Sequence, residues 1–113
     1  MAGEITPLKA LMGWRRYVKL VADAVKLVAP EARVLVIGGA AENRPTARSD
    51  VDVLIALPKK PSFSEAVEVR AKVLEAAEEL GLPPHAPIEL HIVGEEELEE
   101  YAKRGKAIPA DEL

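Results

Sequence analysis

The sequence contains no cysteine among its 113 residues. This absence excludes disulfide bonds, catalytic thiolates and cysteine-ligated zinc or iron–sulfur sites. Aromatic residues are also scarce, at 4% of the chain, so aliphatic side chains have to fill the core. Basic residues are fewer than acidic ones: the chain has 15 Lys and Arg residues and 19 Asp and Glu residues, which gives a net charge of −4. We therefore do not expect a protein that binds nucleic acid through a broad basic surface.

Long apolar segments are missing as well. The longest aliphatic runs are far shorter than the roughly 20 residues that a membrane-spanning helix needs. Residues 1–5 lack the basic start and apolar segment of a signal peptide. We therefore expect a cytoplasmic protein that does not enter the membrane. The chain is 49% apolar and 30% charged, which is typical of a folded domain, and its length suits a single domain over residues 1–113.

The apolar pattern predicts a mixed α/β (α+β) fold, with a small mixed sheet and helices packed on one side of it. Apolar residues recur at helical spacing up to Val28, and Pro30 then ends the helical segment. Continuous aliphatic runs of the kind buried on both faces follow. They predict strands at residues 33–38, 50–57 and 88–93.

The second half of the chain carries clear helix boundaries. Ser62 and Glu65 have the spacing of a capping box, which starts a helix after the second strand. Gly81 is a natural end for that helix. Residues 95–103 predict a short acidic helix. The tail from about residue 105 has little pattern, and we expect it to be mobile.

Two glycines and two aspartates stand at the junction of the first two strands. Gly38 and Gly39 follow the first aliphatic run, and without a Cβ atom they let the backbone approach a polyphosphate closely. Asp50 and Asp52 alternate with valines, so their side chains point to the same face of a strand, about 6–7 Å apart. Hard oxygen ligands so placed suit a Mg²⁺ ion that also binds phosphate oxygens. The pattern indicates a nucleotide site.

Glu89 is the candidate for a third carboxylate, because it interrupts the apolar strand at residues 88–93. If that strand lies beside the second one, Asp50, Asp52 and Glu89 converge on one face. Three such carboxylates repel one another without a cation, whereas two bound Mg²⁺ ions support in-line attack on a phosphate. His91 lies on the same strand face as Glu89, and it is either a neighbour of the site or a hydrogen-bonded structural residue.

These motifs together resemble the DNA polymerase β-like nucleotidyltransferase superfamily, in particular its minimal nucleotidyltransferases. The resemblance covers roughly residues 18–95. It implies a polymerase β-like fold with the nucleotide site at the open edge of the sheet. It also implies that Asp50 and Asp52 hold the metals, and that Glu89 completes the site and helps to deprotonate the attacking hydroxyl. The matching segments are Ile37-Gly38-Gly39, Ser49-Asp50-Val51-Asp52-Val53 and Ile88-Glu89-Leu90.

The resemblance also assigns a nucleotide-binding set: Gly38, Gly39, Ser49 and Arg48. Many minimal members have a serine after the first glycine and then an arginine, whereas this chain has Gly39 and Ala40. The hydroxyl and the cation that would contact the triphosphate are therefore missing from those positions. Arg44 or Arg48 in the same loop is the candidate replacement for the cation.

The resemblance implies transfer of a nucleoside monophosphate, expected to be AMP from ATP, to a hydroxyl acceptor with release of pyrophosphate. A chain of this size has no room for a separate acceptor domain, so a protein partner or a homo-oligomer is expected to complete the acceptor site. The alternative is a non-catalytic interaction module. Minimal members often accompany a small helical HEPN-type toxin as its antitoxin, and the resemblance then implies that this chain restrains such a partner either by adenylylating it or by binding alone.

Overall fold

The structure is a computed structural model that describes residues 13–37, 51–103 and 107–113. Within these ranges no helix is long and apolar enough to cross a membrane. Short 3₁₀ turns at Glu95–Glu97 and Ala110–Glu112 complete the regular structure. The helices are α1 (Trp14–Val28), α2 (Phe63–Glu79) and α3 (Leu98–Lys103), and the strands are β1 (Arg33–Ile37), β2 (Val51–Leu57), β3 (Ile88–Gly94) and β4 (Ala107–Pro109).

The four strands form one mixed sheet in the order β3-β2-β1-β4. β1 is antiparallel to both of its neighbours, β2 and β4. β2 and β3 are parallel, and α2 is the crossover that parallel pairing requires. The predicted fold class and the three predicted strands are therefore confirmed.

α1 and α2 pack together against one face of the sheet. Alternation on β2 sends Val51, Val53 and Ile55 toward the helices, and all three are almost completely buried. They meet the apolar face of α1, where valines recur at helical spacing. The main core residues from the remaining elements are Val18, Val21, Val25, Val36, Val73, Ala77 and Leu90.

The opposite face of the sheet carries a smaller apolar cluster at one end only. Its buried members are Leu35, Leu54, Ala56 and Val93, and α3 contributes partly buried side chains to it, including Tyr101. Asp52 alternates onto this same face of β2, at the end where the strand begins. The long helices therefore lie on one side and leave the aspartate's side of the sheet accessible.

Both predicted boundaries of α2 are confirmed. The Ser62 hydroxyl accepts a hydrogen bond from the Glu65 amide, and the Glu65 carboxylate accepts one from the Ser62 amide at 2.9 Å. The hydrogen bond from the Ser62 amide to the Glu65 carboxylate is the main cause of a pKa of Glu65 below its ordinary value, and a hydrogen bond with the Ser62 side chain lowers it further. At the other end Gly81 has a φ of 117°, and its amide and that of Leu82 close the last turn.

The end of the chain forms an element that the sequence pattern did not predict. Residues 107–109 pair with β1 as an edge strand, and Ala110 is buried beside the core. A strand of three residues is too short to show alternation, and it exists because it hydrogen-bonds to the exposed edge of β1. The pattern of the tail alone therefore gave no sign of β4.

We expect Ser62→Ala to lower the free energy of unfolding by about 1 kcal/mol, since the helix loses its capping hydroxyl. Chemical denaturation monitored by circular dichroism measures the change. Ser64→Ala is the matched control, because Ser64 lies inside the first turn of the same helix and is exposed. Equal effects of the two substitutions would contradict a capping role for Ser62.

Candidate metal and nucleotide site

The parallel register of β2 and β3 places Asp52 directly beside Glu89. Both strands are fixed here by backbone hydrogen bonds, beginning with the bond from the Val51 amide to the Pro87 carbonyl at 2.7 Å. Alternation then sends both carboxylates to the face that α1 and α2 leave open. The structure therefore brings together two of the three carboxylates named from the sequence.

His91 joins this pair as a third group. Its Nε2 atom lies 3.0 Å from Asp52 Oδ1 and 4.0 Å from Glu89 Oε1. His91 stands two residues after Glu89 on β3, so both side chains lie on one face. It is thus both a neighbour of the site and a hydrogen-bonded residue, which unites the two interpretations that the sequence left open.

One ligand atom from each of Asp52, Glu89 and His91 lies within 4.8 Å of the other two. The side chains are 38%, 53% and 32% exposed, so the cluster is open to solvent and to a ligand. Two carboxylate oxygens and an imidazole nitrogen form a donor set that suits a divalent cation. The residues present therefore fit a metal ion.

The site spans the edge strand β3 and its neighbour β2. Ile37, the last residue of β1, is the register partner of Asp52 on the other side of β2. Ile37 and Val51, the described residues that flank the connection 38–50, therefore both lie beside Asp52. This connection carries the glycine pair in the sequence.

Several residues named from the sequence lie outside the described residues, and their predicted roles stay predictions. Lys59 and Lys60, two further cations of the sequence, are exposed just beyond Leu57. They follow the end of β2 that is remote from Asp52, so the structure does not place them at the cluster. The predicted residues outside the described ranges are Gly38, Gly39, Arg44, Arg48, Ser49 and Asp50.

We expect Mg²⁺ or Mn²⁺ to raise the melting temperature of the protein, because a cation relieves the repulsion between Asp52 and Glu89. At a free ion concentration ten times Kd, binding stabilises the folded state by about 1.4 kcal/mol. Differential scanning calorimetry with and without the ion measures this effect. Asp52→Asn and Glu89→Gln should each remove most of it.

Glu75→Gln is the control for that experiment, because it removes the same charge from an exposed position of α2, on the other side of the sheet. Its metal response should equal that of the unaltered chain. A response that survives both substitutions in the cluster would show that the cation binds elsewhere.

Comparison with known proteins agrees with this geometry. The family model described as a nucleotidyltransferase domain matches residues 18–108. A crystal structure of a protein from Sulfolobus solfataricus, provisionally described as a nucleotidyltransferase, has a TM-score of 0.59 to this chain at 15% sequence identity. The alignment covers 96% of this chain and 89% of that one. A search of curated protein sequences gave no significant match.

The resemblance stated from the motifs is thereby confirmed at the level of family and fold. The family match extends from α1 to β4 and includes every strand of the sheet. This chain belongs to the nucleotidyltransferase domain family.

Proposed function

We propose that this chain is a nucleotidyltransferase that moves AMP from ATP to a hydroxyl group on a protein partner, with Mg²⁺ or a similar divalent cation at the carboxylates. The observation that carries the proposal is the pairing of Asp52 with Glu89 in one register of the sheet, on an accessible face. Cation binding explains why two acidic residues stand at the start of otherwise apolar strands. The family match supports the same class of reaction.

The nucleotide is proposed to bind over the carboxylates, between β2 and the connection that follows β1. Support comes from the register, since Ile37 and Val51 hold both ends of that connection beside Asp52. The sequence of the connection includes the glycine pair, which suits backbone amides that approach a triphosphate. The proposed contacts with the triphosphate are made by Gly38, Gly39, Ser49 and Arg48, and Asp50 is the proposed further metal ligand.

The proposed reaction is an in-line displacement at the α-phosphorus of ATP. The acceptor oxygen forms a bond to this phosphorus while the bond to the bridging oxygen breaks, and pyrophosphate leaves with the electron pair. Glu89 is the proposed acceptor of the hydroxyl proton. A divalent cation, when bound, neutralises charge on the phosphates and so favours attack by an oxygen nucleophile. Asp52 would be one of the ligands that hold this cation.

Contact with a protein partner is supported by two exposed apolar side chains on α2, on the face of the sheet opposite to the carboxylates. Phe63 is 86% exposed and Val67 is 52% exposed, and residues four apart lie on the same face of a helix. Most large apolar side chains of the described residues are at least partly covered, so this pair is available for contact with another protein.

Asp52→Asn should abolish transfer, with a loss of at least about 100-fold in rate, because a cation that would neutralise charge on the reacting phosphate would lose one of its ligands. The assay follows label from α-³²P-ATP into protein, together with pyrophosphate release. The candidate acceptor to be tested is the protein encoded by the neighbouring gene. Glu75→Gln again serves as the control, and near-normal turnover by Asp52→Asn would refute the assignment.

The second candidate function is inhibition of a helical toxin partner by binding alone. The exposed Phe63 and Val67 pair favours it, because such contacts require no chemistry. The two functions separate in a test of growth rescue, in which the partner is expressed with either Asp52→Asn or Phe63→Ser. If transfer neutralises the partner, Asp52→Asn should fail to rescue. If binding suffices, Asp52→Asn should rescue fully and Phe63→Ser should fail.

A further inference from the structure

A nitrogen donor distinguishes the cluster of Asp52, Glu89 and His91 from a site made only of carboxylates. The imidazole is held on the same strand as Glu89 and points to the same face. At 32% exposure it is reachable by an ion from solvent, yet its position is fixed by the pairing of β3 with β2. The cluster therefore offers one nitrogen and two oxygen ligands from two adjacent strands.

The spacing of these atoms matches that of ligands around one metal ion. Metal–ligand bonds of about 2.1 Å put two ligands at a right angle about 3.0 Å apart, and two opposite ligands about 4.2 Å apart. His91 Nε2 lies 3.0 Å from Asp52 Oδ1 and 4.0 Å from Glu89 Oε1. The distances from the nitrogen to the two oxygens are therefore compatible with three ligands of one cation.

The hydrogen bond between His91 and Asp52 also places the Nε2 atom beside a carboxylate oxygen, where it can act as a metal ligand. A hydrogen bond between Nε2 and Oδ1 needs a proton between the two atoms. A cation takes the place of that proton, with the Nδ1 tautomer leaving the Nε2 lone pair free for it.

We propose that His91 is a metal ligand together with Asp52 and Glu89, and that its nitrogen makes this position select a first-row transition cation, such as Mn²⁺, over Mg²⁺. The two carboxylates suit Mn²⁺ as well as Mg²⁺, and the imidazole adds a nitrogen donor of the kind that first-row transition cations accept and Mg²⁺ disfavours. The inference rests on the proposed function only in requiring a cation at the carboxylates. The inference adds the identity of the cation and names His91 as the residue responsible for the selectivity.

Electron spin-echo envelope modulation of bound Mn²⁺ tests the ligand directly, because it detects ¹⁴N nuclei coordinated to the ion. The sample holds excess full-length protein, Mn²⁺ and inorganic triphosphate, which contains no nitrogen, so every ¹⁴N signal comes from the chain. His91→Gln removes the proposed nitrogen. The chain has one other histidine, the exposed His85, and His85→Gln is the matched control.

We expect ¹⁴N coupling of imidazole type in the unaltered chain and in His85→Gln, and none in His91→Gln. Calorimetric titration should show Mn²⁺ binding at least about tenfold more tightly than Mg²⁺, and His91→Gln should remove most of that difference. If His91→Gln folds poorly, coupling in the unaltered chain that is retained in His85→Gln still assigns the ligand to His91.

Bound Mn²⁺ without ¹⁴N coupling would overturn the assignment of His91 and leave the carboxylate site of the proposed function intact. His91 would then serve only as a hydrogen-bond partner of Asp52. Coupling that is lost in His85→Gln instead would also overturn it. If neither ion binds, or if binding is unchanged by Asp52→Asn, both the assignment of His91 and the metal site of the proposed function are wrong.

Discussion

The parallel pairing of β2 with β3 is the constraint on which the candidate site depends. Two strands that run in the same direction cannot be joined by a tight turn, so α2 has to cross over between them. In the register of the two strands, Asp52 meets Glu89. A shift by one residue would turn the carboxylate of Glu89 toward the helices and separate the pair.

The same alternation separates the core from the site. Val53 and Ile55 enter the main core beneath the helices, whereas Leu54 and Ala56 enter the smaller cluster on the other face. β2 is thus buried on both faces over most of its length, and an ionised side chain in its middle would be costly. Asp52 avoids that cost because it lies where the strand begins, with its side chain 38% exposed.

The same fold can support both candidate functions because the metal site and the exposed apolar pair lie on different surfaces. The carboxylates and His91 lie on the open face of the sheet, whereas Phe63 and Val67 lie on α2, which packs on the opposite face. Fold and family therefore define the class of protein, and specific side chains decide its action. A chain with this arrangement can bind a partner through α2 without blocking access to the carboxylates.

Much of the fold could be predicted from local sequence patterns. The strands within residues 33–57 and 88–94 follow from aliphatic runs, and both ends of α2 follow from Ser62, Glu65 and Gly81. These signals are local because hydrogen bonds within one turn, or the periodicity of one strand, produce them. The sequence also singled out Asp52 and Glu89, since acids are unusual within apolar strands.

Other features required the tertiary structure, because they depend on contacts between distant parts of the chain. The hydrogen bond between His91 and Asp52 joins residues 39 positions apart, and only the register of β2 and β3 decides that it forms. β4 exists because three residues near the end of the chain pair with β1. The sequence determined which side chains were available for a metal site, and the parallel register determined which of them meet, since pairing is a property of two strands and not of either alone.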